Sequence, residues 1–310
     1  MASPFALHFG MICLTDLPLE ILIPILEHLS LVDISTFLTS QATCSIFQSI
    51  VRDIIARPPP PTWTRLLTKD DGEVIDEDYY ENFLPPEAHP FLTTRFTTLL
   101  QSSTCFTADE RRATSWFLTL NGDVARPFRR LPWAGDARKR EKYLRGGACW
   151  RHLGVTFPLG LPITRVEIIK SYSSEDFNED GRDHVQYLQV DDMPAPGFLT
   201  MGLLYDLLLC GGAVGDDKAA TFGGETGSWE LVLGARLRDY DLLLEYECFI
   251  LDDEDLVDTG PNAAQSAILY VRGGTVVGHD QDRRFGELED DEVQWVPEPL
   301  GSKFSIRPAI

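Results

Sequence analysis

The sequence predicts an α+β protein, with a small N-terminal domain of three helices followed by a larger domain that holds a mainly antiparallel β-sheet and a few helices. Apolar residues repeat at helical spacing in three series between residues 17 and 55, and prolines 58–61 then prevent any helix from continuing. After Trp150, short β-branched runs lie between turn residues, which is typical of strands. Strands and helices do not alternate regularly, which disfavours βαβ units.

The first helix is predicted by one apolar stripe. Pro18 suits a first helical turn, and Glu20 in that turn complements the helix dipole. Pro24 removes one backbone hydrogen bond and typically costs about 3 kcal/mol in a helix interior, so a kink or a split is expected near Ile23. The stripe consists of Leu17, Ile21, Leu22, Ile25, Leu26 and Leu29.

Two more helices are predicted directly after the first. Ser30 and Asp33 have the Ser-x-x-Asp form of a helix-start capping box, which predicts a short helix over residues 31–38. A third apolar series marks another helix face, and it consists of Ile46, Phe47, Ile50, Val51, Ile54 and Ile55. Such a set of apolar stripes must be buried, either in the core of the chain or against a partner.

This N-terminal region resembles an F-box. Residues 17–38 follow the usual opening of that family, Leu-Pro-x-Glu-Ile-Leu, then Ile-Leu, then Leu, then Asp-Leu/Ile. Residues 44–47 resemble the Cys-x-x-Trp segment of the family, with Phe47 in place of Trp, and Trp63 and Leu66 resemble its closing Leu-Trp-x-x-Leu. The resemblance covers residues 14–67 and implies an F-box domain over residues 12–67; an ordinary core helix is the alternative.

The resemblance implies a substrate-receptor subunit of a Skp–cullin–F-box ubiquitin ligase, in the ubiquitin-conjugation pathway. The N-terminal helices would bind a Skp-family adaptor, the cullin scaffold would be reached only through that adaptor, and the C-terminal domain would bind a protein substrate. Other subunits would do the chemistry, so no enzyme activity, catalytic residue, cofactor or metal is expected. The residues expected at the adaptor face are Leu17, Pro18, Ile21, Leu22, Ile25, Leu26, Leu29 and Trp63. Some of them must also hold the F-box together, and the sequence does not separate the two roles.

Two alternatives to the ligase stay open. The chain could bind the adaptor as a structural or regulatory protein outside a ligase. The C-terminal domain could instead bind a small molecule or act as an enzyme, which a deep apolar pocket with converging polar groups would favour.

The rest of the chain divides into an acidic linker or loop over residues 68–90 and an α+β substrate-recognition domain over residues 91–310. Helices are predicted in residues 91–120 and 198–210. Strands are predicted at residues 152–157, 163–169, 184–190, 229–237, 242–251, 268–272, 275–277, 292–296 and 303–306. Three segments, residues 150–153, 162–164 and 199–207, also resemble the C-terminal region of a large group of fungal F-box proteins.

The net negative charge of the chain limits the classes of partner that can be expected. The chain has a net charge of −21, and residues 151–310 carry 12 basic and 30 acidic groups, so nucleic acid and anionic membranes are not expected as partners. Residues 126–145 are the exception, with eight basic and two acidic groups. This basic segment could pair with the acidic loop of the same chain between Lys69 and Glu87, or simply be solvated. It could also act in nuclear import or nucleic-acid binding, or receive an acidic or phosphorylated substrate segment.

Other motifs point away from metal sites and catalysis. The six cysteines form no C-x-x-C pair, which fits reduced thiols in the cytoplasm or the nucleus, and no secretory signal or membrane span is evident. Residues 176–181 match the first half of an EF-hand loop, but Tyr187 stands where a bidentate Glu is required. The carboxylate runs at residues 252–255 and 287–292 are interpreted as solvated surface rather than as a catalytic pair.

Overall fold

The computed structural model describes residues 14, 17–57, 88–101, 126–158, 160–173, 183–209, 226–238, 256–273 and 295–309. The contacts between residues divide the chain into two compact units, residues 1–57 and residues 58–310. The domain boundaries at residues 67 and 90 stay predictions, because almost all of residues 58–90 lies outside the described residues. Within the described part, no helix is both long enough and apolar enough to cross a membrane.

The N-terminal unit contains three helices: α1 (Leu19–Val32), α2 (Ile34–Ser40) and α3 (Ser45–Ala56). Each helix buries one apolar face, as its periodicity predicts. The core of the unit consists of Leu22, Leu26, Ile34, Phe37, Leu38, Phe47, Ile50, Val51, Ile54 and Ile55.

The helix split predicted near Ile23 is wrong. Helix α1 runs without interruption from Leu19 to Val32, with Pro24 inside it. Pro24 cannot donate to the carbonyl of Glu20, but both residues are exposed, so water can bind that carbonyl. The missing hydrogen bond therefore lies on the side of the helix where its loss costs least.

The predicted capping box at Ser30 is also wrong. Ser30 lies inside α1, fully buried, and its hydroxyl donates to the carbonyl of Glu27 at 2.7 Å. The residue that caps α2 is Asp33, whose carboxylate accepts from the backbone N–H of Thr36 at 3.0 Å. The boundary between the two helices is thus three residues later than predicted.

The larger unit combines helices with a sheet. Its described helices are α4 (Pro90–Leu100), α5 (Arg126–Arg129), α6 (Ala137–Leu144) and α7 (Met201–Leu209). Its described strands are β1 (Arg165–Ser173), β2 (Asp183–Asp192), β3 (Thr226–Leu233), β4 (Arg236–Leu237), β5 (Val257–Asp258), β6 (Ser266–Gly273) and β7 (Ser305–Pro308).

Five of these strands form one sheet in the order β3-β6-β1-β2-β7. The β1–β2, β2–β7 and β3–β6 pairs are antiparallel, and only the β1–β6 pair is parallel. The observed architecture therefore confirms the α+β class and the mainly antiparallel sheet. Strand β7 (Ser305–Pro308) is an edge strand of the sheet and overlaps the strand predicted at residues 303–306.

Both faces of the central strands are buried. One face presents Ile169, Tyr187 and Ile268 to a small apolar cluster around the β4–β5 pair, which includes Leu237 and Leu256. Residues of the opposite face, such as Val166, Ile168, Leu188 and Leu269, are buried as well. Because side chains alternate along a strand, burial of both sets requires cover on both sides of the sheet.

Two strand predictions are wrong in this unit. Residues 152–157 form no strand: a 3₁₀ turn (Cys149–His152) is followed by turns and by one isolated bridge between Gly154 and Thr200. The strand predicted over residues 229–237 is divided at Gly234, whose φ of 69° ends β3 before β4 begins.

Other sequence predictions lie outside the described residues. These are the second half of the helical region at 91–120, the strands at 242–251 and 275–277, and most of the strand at 292–296, of which residues 295 and 296 are described and are not in a strand.

Candidate partner-binding surface

Helix α1 has two apolar faces with different environments. Leu22 and Leu26 are only 1% and 3% exposed, because they point into the core of the N-terminal unit. Ile21 and Ile25 precede them by one residue each and are 49% and 42% exposed. A step of one residue turns the helix by about 100°, so these neighbouring pairs must lie on different faces.

The outward face continues for three turns. Ile21, Ile25 and Val32 stand at i, i+4 and i+11, and since about 11 residues make three turns, they fall in one line along the helix. Val32 is 66% exposed. We call Ile21, Ile25 and Val32 the exposed ridge. Single exposed apolar residues are ordinary, but an aligned set on one helix is typical of a surface that binds a partner.

The neighbouring helices hold this ridge in place. Phe37 of α2 and Val51 of α3 are completely buried behind α1 in the core of the unit. At the end of α3, the guanidinium of Arg57 lies 2.8 Å from the carboxylate of Asp53 and 3.9 Å from that of Glu27 on α1. The outward position of the ridge is therefore set by packing on its inner side.

Asp33 sets the turn that follows the ridge. The Thr36 hydroxyl and the Thr36 N–H both donate to the Asp33 carboxylate, at 2.5 and 3.0 Å. The hydrogen bonds from the Thr36 side chain and backbone lower the pKa of Asp33 below its ordinary value of 3.8. The ionised carboxylate is the form that caps α2.

The predicted adaptor-face residues are divided by the structure. Pro18, Ile21 and Ile25 are exposed, Leu17 and Leu29 are half-buried, and Leu22 and Leu26 are buried. Trp63 lies outside the described residues. Val32 was missed, although its position eleven residues after Ile21 could have placed it on the same face.

Three segments that are separate in the sequence, residues 150–153, 162–164 and 199–207, meet in the larger unit. The N–H of Met201 donates to the carbonyl of Leu153 at 2.8 Å, and the N–H of Leu199 donates to that of Ile163 at 2.7 Å. At Gly202 an added Cβ would lie 2.7 Å from the carbonyl oxygen of Arg151, so only glycine allows this close approach. The segments therefore form one packing unit around α7.

Two buried carboxylates of the larger unit were missed by the sequence predictions. Glu167 on β1 accepts from the N–H of Leu237 at 2.6 Å and from Nε of Arg165 at 2.9 Å. Asp206 on α7 accepts from the backbone N–H groups of Leu300 and Ser302, at 2.5 and 2.6 Å. Both carboxylates bind groups of their own chain, which indicates structural roles rather than catalysis.

The search for a metal site covers only the residues that the structure describes. Among the residues that the structure describes, no group of three or more His, Cys, Asp or Glu side chains could hold a metal ion. The EF-hand-like residues 176–181 and the carboxylate runs at 252–255 and 287–292 lie outside the described ranges.

Comparison of the chain with models of known protein families, with curated proteins and with solved structures finds no match.

Proposed function

We propose that the chain is an F-box protein that binds a Skp-family adaptor through helix α1 and serves as a substrate receptor of a ubiquitin ligase. In this proposal the adaptor links the chain to the cullin scaffold, and the larger unit binds a protein substrate. Catalysis consists of holding the substrate near a conjugating enzyme that other subunits supply. The cytoplasm or the nucleus is the proposed location.

The exposed ridge is the observation that carries the proposal. Ile21, Ile25 and Val32 leave apolar surface in water at a cost of about 25 cal/mol for each Å², while Leu22 and Leu26 already supply the contacts of α1 within its own unit. A partner helix or groove would bury the ridge without disturbing that core. The ridge also falls in the part of the sequence that resembles the F-box opening.

The structure changes the choice of mutations that test this proposal. Substituting Asp for the buried Leu22 or Leu26 would unfold the unit, so a loss of binding would say nothing about the surface. Ile21→Asp together with Ile25→Asp changes exposed side chains only. We expect this double variant to lose capture by a purified Skp-family adaptor while the larger unit keeps its fold, as measured by pull-down and circular dichroism.

A matched control changes charge by the same amount on α3. Ser49→Asp together with Arg52→Gln alters two exposed residues and should leave adaptor capture intact. Wild-type capture by the Ile21/Ile25 variant, or equal loss in both double variants, would contradict the proposed binding face. Ubiquitination of a captured partner by the reconstituted complex then separates a ligase receptor from an adaptor-binding protein without ligase function.

A further inference from the structure

Helix α6 presents a row of basic side chains to solvent. Arg138, Lys142 and Arg145 stand at i, i+4 and i+7, so they lie on one face, and Lys139 flanks them. All four side chains are exposed, and they form no ion pair with any residue in the described part of the chain. Pairing with the acidic loop between Lys69 and Glu87 stays a prediction, because that loop lies outside the described residues.

The opposite face of α6 is anchored. The ring of Tyr143 stacks on that of Trp133, with 4.9 Å between the centroids and 3° between the planes. The carbonyl of Tyr143 accepts from Nε1 of Trp150 at 2.7 Å, and the guanidinium of Arg140 lies 5.5 Å from the ring centre of Trp295. These contacts fix the orientation of α6, so its basic side chains lie on the face that is turned toward solvent.

Only part of the row suits the dipole of its own helix, since Lys142 lies in the last turn, where a cation is favourable. Arg138 and Lys139 lie in the first turn, where cations oppose the helix dipole, and Arg138 repels Lys142 one turn on. Asp136 offsets part of this by capping the helix, since its carboxylate accepts from the N–H groups of Arg138 and Lys139. In a chain of net charge −21, these cations also reduce rather than increase the net charge that keeps a protein soluble.

We propose that the basic row of α6 binds an acidic, Asp/Glu-rich segment of a partner protein in an extended conformation. Arg145 directly follows the last residue of α6 and lies seven positions after Arg138, a span of about 10 Å along the axis. In an extended peptide, alternate residues point the same way about 6.6 Å apart, so carboxylates two residues apart match cations one turn apart. A single phosphate would instead favour cations that converge on one point.

Nucleic acid fits this surface less well. The strong negative charge of the chain repels a long polyanion, whereas a short acidic segment feels mainly the local row. Trp133, which stacks on Tyr143 beneath α6, is 1% exposed, so Trp133 offers no face on which a base could stack.

This inference goes beyond adaptor binding, since α6 and the exposed ridge belong to different units of the chain. If the larger unit is a substrate receptor, the row is the surface that we expect to contact the substrate.

The test uses the full chain and a fluorescein-labelled peptide of eight residues with Glu at alternate positions. We expect saturable binding by fluorescence anisotropy at low salt, weakening as the salt is raised. Arg138→Glu, Lys142→Glu and Arg145→Glu together should weaken binding by about tenfold or more, since each exposed pair contributes a modest amount. A triple variant with Gln at the same three positions should bind the peptide with an affinity between those of the wild type and the triple Glu variant.

A matched control reverses three other exposed cations, with Arg52→Glu, Arg95→Glu and Lys303→Glu, and so gives the same net charge. This control should bind nearly as well as the wild type. Equal loss in both triple variants, or no saturable peptide binding by the wild type, would overturn the proposal. So would tighter binding of a peptide with a single phosphoserine, or of a single-stranded oligonucleotide of equal charge. Adaptor capture is measured on the same variants. It tests the proposed function, whereas peptide binding tests only the basic row of α6, so the two proposals can fail separately.

Discussion

Helices α1 and α7 are both rich in leucine and isoleucine or methionine, yet they have opposite environments. Helix α7 buries eight of its nine residues, whereas α1 buries only three of its fourteen. The rings of Phe128 and Trp150 pack edge to face against the ring of Tyr205 on α7. Among the described residues, helix α1 packs mainly against α2 and α3. Apolar content alone therefore does not tell whether a helix completes a core or presents a binding surface.

The difference between buried and exposed positions should be largest for substitutions that shorten a leucine side chain to alanine. Leu204→Ala in α7 removes a fully buried side chain, and we expect the free energy of unfolding to fall by about 3–5 kcal/mol because a cavity remains. Urea denaturation followed by tryptophan fluorescence measures this. Leu209→Ala, at the half-buried end of the same helix, should cost clearly less. Similar losses at both positions would show that α7 is not enclosed as described.

Within α1, neighbouring residues should behave differently. Leu26→Ala should cost about 2–4 kcal/mol in the N-terminal unit, while Ile25→Ala should cost less than about 0.5 kcal/mol. Hydrogen exchange of the amides in α1–α3, measured on the full chain, reports this local stability. Conversely, Ile25→Ala should weaken adaptor capture. Equal loss of protection in both variants would contradict the two-faced description of the helix.

The acidic residues of the two helices sharpen the same contrast. Asp206→Asn in α7 replaces one of the two carboxylate oxygens that bind the N–H groups of Leu300 and Ser302, and should cost about 1.5–3 kcal/mol. Limited proteolysis should then cut residues 295–309 faster. Glu20→Gln, on the exposed surface of α1, should leave the cleavage rate unchanged. Unchanged cleavage of the Asp206 variant would show that this carboxylate does not hold the C-terminal segment.

The smallest expected effect is a pH dependence at the end of α1. The pKa of Asp33 is lowered in the folded protein, so its contribution to stability is complete above its unfolded value of 3.8 and is lost as the pH falls through the folded value. Asp33→Asn keeps a capping side chain but does not titrate. The difference in amide protection of α2 between wild type and variant should therefore shrink on acidification. A difference that grows instead would reverse the assigned direction of the shift.

Elements with strong periodicity were predictable, and those set by distant contacts were not. Helix α3, helix α7 and strand β2 lie close to their predicted positions because their apolar spacing is local information. The turns at residues 152–157 replaced a predicted strand because hydrogen bonds to Leu199 and Met201 hold that segment. Asp206 could not be foreseen, because its amide partners lie more than ninety residues away in the chain.

The candidate site shows the same division. The apolar pattern of residues 17–32 placed the helix and its candidate residues, and the F-box resemblance suggested what they bind. The apolar pattern could not tell that Leu22 is buried and Ile21 is exposed, since both residues fit a helical stripe. The packing of α2 and α3 separates them, with the first buried and the second exposed.

By itself, the order of residues along the chain determined the approximate positions of the strongly periodic helices and strands, the excess of negative charge and the basic segment that departs from it. Only the folded arrangement decided which apolar and charged side chains stay in contact with water. The physical reason is that burial depends on neighbours brought together from distant positions, whereas backbone conformation responds mainly to residues within a few positions.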